Sequence, residues 1–223
     1  MRYLSRVLLV CSGLFLVSSA ASAGPLSFSC TPGPATCNGA TYALAITHQT
    51  NMGGGVYKYE LVYGINTAGY INNATDFIHS ISFKNIVDNM SDITLLNAPG
   101  GLGAWAAVEK GLNAKGCKEA GEEAACAYAL SFGAAVSPAA EYLWTFTFLS
   151  TDSTPNATGH IKYQYVTNAL NKKGEYDKIG SLGSWDIAIQ FPPEETVPEP
   201  TSLLLLGTGF GAVFLRSRRR SRL

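Results

Sequence analysis

In segment after segment of this 223-residue chain, apolar residues recur at every second position. That period suits a β-strand with one buried face and does not suit an amphipathic helix. Tyr57, Tyr59, Leu61, Tyr63 and Ile65 form one such series, with Lys58 and Glu60 between them. Phe77, Ile81, Phe83 and Val87 form another, as do Trp144, Phe146 and Phe148 around Thr145 and Thr147, and Trp185, Ile187 and Ile189 around Asp186. Segments 42–47, 92–96, 128–132 and 161–167 bring the predicted strands to about eight. Turn-forming clusters at 51–55, 66–73, 152–159 and 180–184 separate many of them. One half-polar face per strand fits antiparallel sheets and not a buried parallel one. The expected fold over residues 24–191 is therefore all-β, an antiparallel β-sandwich that is jelly-roll-like or Ig-like. Residues 99–123, rich in Ala and Gly, break the pattern and predict an irregular excursion with a short helix over 104–112.

The two ends have a different character. Arg2 and Arg6 precede an apolar run from Val7 to Val17 and a small-residue stretch ending at Ala23, the order of a secretory signal peptide cleaved after residue 23. The 11-residue run makes about 17 Å of helix, too short for a ~30 Å hydrocarbon core. At the other end, Pro192-Pro193-Glu194-Glu195 opens an extended stem over 192–197. Thr201 to Leu215 then predicts a transmembrane helix of about 22 Å, stretched by snorkelling of Arg216. The arginines that follow belong on the cytoplasmic side, which places residues 24–197 across the membrane from them. The signal peptide demands the same topology.

Pro198-Glu199-Pro200, the apolar span Leu203 to Leu215 and the basic stop Arg216 to Arg222 stand in that order at the end of the chain. Together they resemble the PEP-CTERM sorting signal of Gram-negative bacteria that make extracellular polysaccharide. The resemblance implies that residues 198–223 are a sorting tail and that Pro198, Glu199 and Pro200 are recognition residues. Its partner would be an exosortase, a membrane-embedded cysteine transpeptidase or protease. The protein would be held transiently in the inner membrane and then delivered to the cell surface or extracellular matrix. The resemblance says nothing about the activity of the body.

Once Cys11 leaves with the signal peptide, Cys30, Cys37, Cys117 and Cys126 remain. An even number in an exported chain favours two disulfides. Of three connectivities, short spacing favours Cys30–Cys37 and Cys117–Cys126, each contributing about 2.5 kcal/mol by restricting the unfolded chain. A zinc site is the alternative, although the spacings lack the usual two-residue gap.

The formal net charge is zero, with 16 Lys+Arg against 16 Asp+Glu. All seven arginines lie at positions 2, 6, 216, 218, 219, 220 and 222, so residues 7–215 hold nine lysines against all 16 acids, a net of −7. Loss of both ends leaves nine lysines against 15 acids, or −6. An acidic body argues against a nucleic-acid partner and predicts avoidance of anionic polymers unless cations bridge them.

Signs of chemistry are sparse. His48, His79 and His160 fall on three separate predicted strands, and His79 shares the inward parity of Phe77 and Ile81, which predicts a core histidine. No Gly-x-Ser-x-Gly elbow or His-Glu-x-x-His helix occurs. Asp88 and Asp92 imitate the start of a calcium loop but lack its Gly and terminal Glu. We therefore expect no catalytic residue, metal or cofactor. Trp105, after Gly100-Gly101-Leu102-Gly103, is the one candidate for stacking on a sugar, with anchoring of the excursion to the core as the alternative. The expected role is a non-enzymatic exported surface or matrix protein associated with exopolysaccharide and biofilm. A carbohydrate-binding module or adhesin comes next, and a hydrolase with dispersed carboxylates third.

Overall fold

The computed structural model describes residues 25–192 apart from 31–36, 72–75, 114, 120–122, 132–133, 139 and 175. The alternating segments form strands: β1 (Thr41–Gly53), β2 (Val56–Asn66), β3 (Phe77–Lys84), β4 (Ser91–Asn97), β10 (Glu141–Ser150), β11 (Thr158–Leu170) and β12 (Tyr176–Gln190). Between β4 and β10 come β5 (Trp105–Val108), β6 (Gly111–Asn113), β7 (Gly116–Glu119), β8 (Ala124–Ala129) and β9 (Ala134–Ala135). The strand predicted over 128–132 is thus displaced to 124–129. The signal peptide, the sorting tail with Pro198, Glu199 and Pro200, and the transmembrane helix predicted over 201–215 lie outside the described residues. Among the described residues no helix is long and apolar enough to cross a membrane.

One ten-stranded sheet runs β4-β10-β2-β1-β12-β11-β3-β8-β5, with β9 beside β3. Its pairings are antiparallel except where β1 meets β12 in parallel, at Leu44↔Ile189 and Ala45↔Gln190. At that junction the sheet doubles back, and its two halves meet through their rings. Tyr42 of β1 stacks on Tyr163 of β11 at 4.5 Å, and Phe83 of β3 meets Phe146 of β10 edge-on at 5.0 Å. Trp105 of β5 and Trp144 of β10 do the same at 5.1 Å. The alternation explains this layer directly, because Tyr59, Leu61, Tyr63 and Ile65 are all buried while Lys58 is exposed. Burial pushes the phenols of Tyr42 and Tyr63 well above their ordinary pKa. The all-β expectation holds.

The excursion departs from what the sequence predicts. The only helical turn among the described residues of this region is a 3-10 turn at Leu102–Ala104, and the helix expected over 104–112 is replaced by β5. β5 pairs with β8 from Trp105↔Ala129 to Val108↔Cys126. Alanine favours helix in isolation, but Ala125, Ala127 and Ala129 are buried against the core, and tertiary burial overrides that weak preference. β6 and β7 form a separate two-stranded ribbon that touches β3 and β8.

Both disulfides take the short-range connectivity, Cys30–Cys37 and Cys117–Cys126. The second ties the ribbon to β8. Beside the first, Gly39 has φ +75°, and a Cβ there would stand 1.8 Å from the carbonyl oxygen of Gly69, so two backbone loops cross where only glycine fits.

Candidate functional site

One concavity among the described residues, of about 520 Å³, is lined by Asn89, Ser91, Glu109, Glu123 and Thr151; another lies on the outer face of the β3–β11–β12 half, between the β6–β7 ribbon and the β11–β12 hairpin. The latter is a groove of about 480 Å³. A β-bulge shapes its floor. Gln164 pairs with Ser80 and Tyr165 with Ile78, which leaves His79 as an extra residue on β3. The bulge reverses the side-chain parity, so Ile78 goes into the core and His79 turns out into the groove, half-buried. The expectation of a core histidine at 79 is therefore wrong, because period-2 counting assumes an unbroken strand.

His79 Nδ1 lies 2.7 Å from Ser80 Oγ, and its ring is 5.9 Å from that of Tyr176. Burial first, and the Lys178 ammonium second, hold its pKa below the ordinary histidine value. The imidazole is thus neutral near pH 7, a donor or acceptor and not a cation. Gln164, only 5% exposed, lines the same groove, and no hydrogen bond holds its amide among the described residues. The ribbon contributes Lys115 and Lys118, and the hairpin contributes Lys173, Tyr176 and Lys178. No carboxylate is among the described lining residues. The ribbon is held over this face by Lys162, whose Nζ donates to the Leu112 carbonyl at 3.1 Å, and by Cys117–Cys126.

A second constellation stands on the same pair of strands. His160 pairs with Asp186 and Lys162 with Ser184 across β11 and β12. His160 Nδ1 is 2.7 Å from Asp186 Oδ1, and its Nε2 is 2.7 Å from Ser184 Oγ. This is the hydrogen-bond order of a Ser-His-Asp relay. The Asp186 side chain is 74% exposed, so water screens its charge. β11 is paired on both edges, which commits its own N–H groups to the ladder. Sequence reading missed the trio because only the strand register brings residues 160, 184 and 186 together.

The remaining sequence candidates are dispersed. Trp105 is 4% exposed, its Nε1–H donates to the Pro99 carbonyl at 2.8 Å, and its ring abuts Trp144. It offers no free indole face to a sugar and instead anchors the excursion. His48 is exposed on β1. Asp88 and Asp92 are both exposed, and no group of three His, Cys, Asp or Glu able to hold a metal occurs among the described residues. Two carboxylates are engaged by backbone at the residues next to them: Glu109 accepts from Ile93 N–H at 3.1 Å and Glu123 from Asn89 N–H at 3.0 Å.

Comparison with known proteins bears on the end of the chain. Residues 196–220 match the family model of the PEP-CTERM protein-sorting motif. The chain carries a PEP-CTERM sorting motif. The PEP-CTERM motif implies export, membrane-associated sorting and processing by an exosortase-type system. No curated protein matches the sequence. Among solved structures, an uncharacterized protein from Nocardia farcinica with an immunoglobulin-like fold is similar at 12% identity and TM-score 0.35, covering 66% of this chain and 97% of that one. AvmM, which catalyzes macrocyclization in alchivemycin A biosynthesis, is similar at 10% identity and TM-score 0.32, covering 71% and 93%. A mutant of Streptococcus suis SadP follows at 11% identity and TM-score 0.29, covering 69% and 88%. Likeness at this level says nothing about activity.

Proposed function

We infer that this chain is a non-enzymatic exported surface or matrix protein of a Gram-negative cell envelope, associated with exopolysaccharide and delivered by an exosortase-type system. The PEP-CTERM motif at residues 196–220 is the observation that carries this reading. The folded-over sheet is best understood as a β-sandwich of the jelly-roll or immunoglobulin-like kind, and the two disulfides suit an oxidising compartment. Residues 1–23 act as a cleaved signal peptide, and residues 201–215 hold the chain in the inner membrane until the tail is cut near Pro198. Mass spectrometry of the surface-held or released protein from a host with an exosortase should give a chain beginning at Gly24 and lacking the residues from about Pro198 onward. A surface product that retains Arg216 to Arg222 would overturn the reading.

The His160, Ser184 and Asp186 trio favours a second reading, a hydrolase. The exposed Asp186 carboxylate and the commitment of the β11 N–H groups to the ladder weigh against it. Wild-type protein and Ser184→Ala should therefore hydrolyse p-nitrophenyl acetate at the same rate. A clear loss of activity in Ser184→Ala would establish the trio as a catalyst.

A further inference from the structure

We propose that the groove between the β6–β7 ribbon and the β11–β12 hairpin binds carboxylate-bearing sugar residues of an acidic polysaccharide. The proposal deepens the reading of the protein as an exported, polysaccharide-associated one and rests on it. Charge is the first argument. Residues 24–197 contain nine lysines and 15 acids, yet four of those lysines, at 115, 118, 173 and 178, converge on this one groove, and no described lining residue is acidic. Asp177 lies between Tyr176 and Lys178 in sequence, and strand alternation turns it to the other side of β12. No ion pair joins Lys115, Lys118 or Lys173 to a described acid. These three ammonium groups repel one another, and an anion relieves the repulsion.

Size and chemistry favour a sugar over a bare inorganic ion. A volume of about 480 Å³ falls within the range of sites for organic ligands and far exceeds one oxyanion. Tyr176 supplies a ring of the kind on which the apolar face of a pyranose packs. Gln164, buried at nine-tenths or more and with no hydrogen bond to its side-chain amide among the described residues, presents an amide able to donate to one hydroxyl and accept from another. His79, fixed through Nδ1 by Ser80, leaves Nε2 for a further hydroxyl. A nucleic acid fits less well, because an extended duplex would run from four lysines onto a body of net −6.

The test is calorimetric titration of the exported protein, its ends first verified by mass, with tetragalacturonic acid, its methyl ester, inorganic phosphate and a short DNA duplex. Tetragalacturonic acid should bind. The uncharged ester and the Lys118→Gln/Lys178→Gln variant should each weaken binding by at least ~10-fold, the worth of one lost charge-assisted hydrogen bond. Lys58→Gln/Lys84→Gln, outside the groove, should bind as wild type. Equal binding of the ester, or unchanged binding by Lys118→Gln/Lys178→Gln, would overturn the proposal. Phosphate or DNA binding as tightly as the sugar acid, with the same lysine dependence, would overturn the sugar assignment. No binding by protein with correctly trimmed ends overturns the groove alone, whereas an untrimmed tail overturns the sorting reading alone.

Discussion

Replacing Trp144 by alanine should cost the domain about 3–5 kcal/mol, read as a lower urea midpoint at unchanged slope. Trp144 is fully buried on β10 and is met edge-on by Trp105 at 5.1 Å and by Tyr63 at 6.2 Å. Removing it opens a cavity where the two halves of the sheet join, and the flanking rings are held by their own strands and cannot collapse into it. Trp144→Phe should be much milder. Among the described residues the buried Trp144 Nε1 has no hydrogen-bond partner, so the phenyl ring discards a polar group that was costly to bury and leaves no acceptor stranded. Equal losses for the two substitutions would show that the indole N–H matters more than the ring volume. A loss below about 1 kcal/mol for Trp144→Ala would show that the halves do not pack as described.

The rings that make this joint were legible because they alternate. Tyr59, Leu61 and Tyr63 on β2, and Trp144, Phe146 and Phe148 on β10, need no tertiary information to be assigned to one face. The β5–β8 region was not legible for the opposite reason. Its inward residues are alanines, whose small side chains give no amphipathic contrast and whose intrinsic preference points to helix. Only pairing along Trp105↔Ala129 to Val108↔Cys126 makes them strand. At His79 the periodicity was present but misleading, because a single-residue bulge inverts it and no turn residue marks the place.

The groove was hidden for a further reason. Lys115 and Lys118 are about 60 residues from Lys173 and Lys178 in sequence, and whole-body charge averages them away against 15 acids. An acidic body predicts that anionic polymers are repelled. A basic groove within it confines attraction to one short stretch of a partner and leaves repulsion everywhere else. That combination favours a low-occupancy, site-specific grip over a coat of polymer, and added salt should weaken it.

The same groove makes the two disulfides unequal. Reducing both should cost about 5 kcal/mol on the loop-entropy model, with each short loop contributing about 2.5 and little coupling between separate parts of the fold. For a domain this size that is a fall of roughly 10–20 °C in Tm, and a large share of the ordinary 5–15 kcal/mol stability. The two bridges differ in what they hold. Cys30–Cys37 ties the segment before β1, which is also fastened by Ser27 and Gln190 through hydrogen bonds at 2.7 and 2.6 Å. Cys117–Cys126 fastens the β6–β7 ribbon, a two-stranded element too small to be stable by itself, and Lys118 is the residue next to Cys117. Cys117→Ser/Cys126→Ser should therefore lose about the same stability as Cys30→Ser/Cys37→Ser, yet at a temperature where both remain folded it alone should lose binding of tetragalacturonic acid. Thermal melts and titrations on the two pairs separate these effects. Retained binding in Cys117→Ser/Cys126→Ser would mean that the ribbon is positioned by its packing on β3 and β8 and not by the bridge.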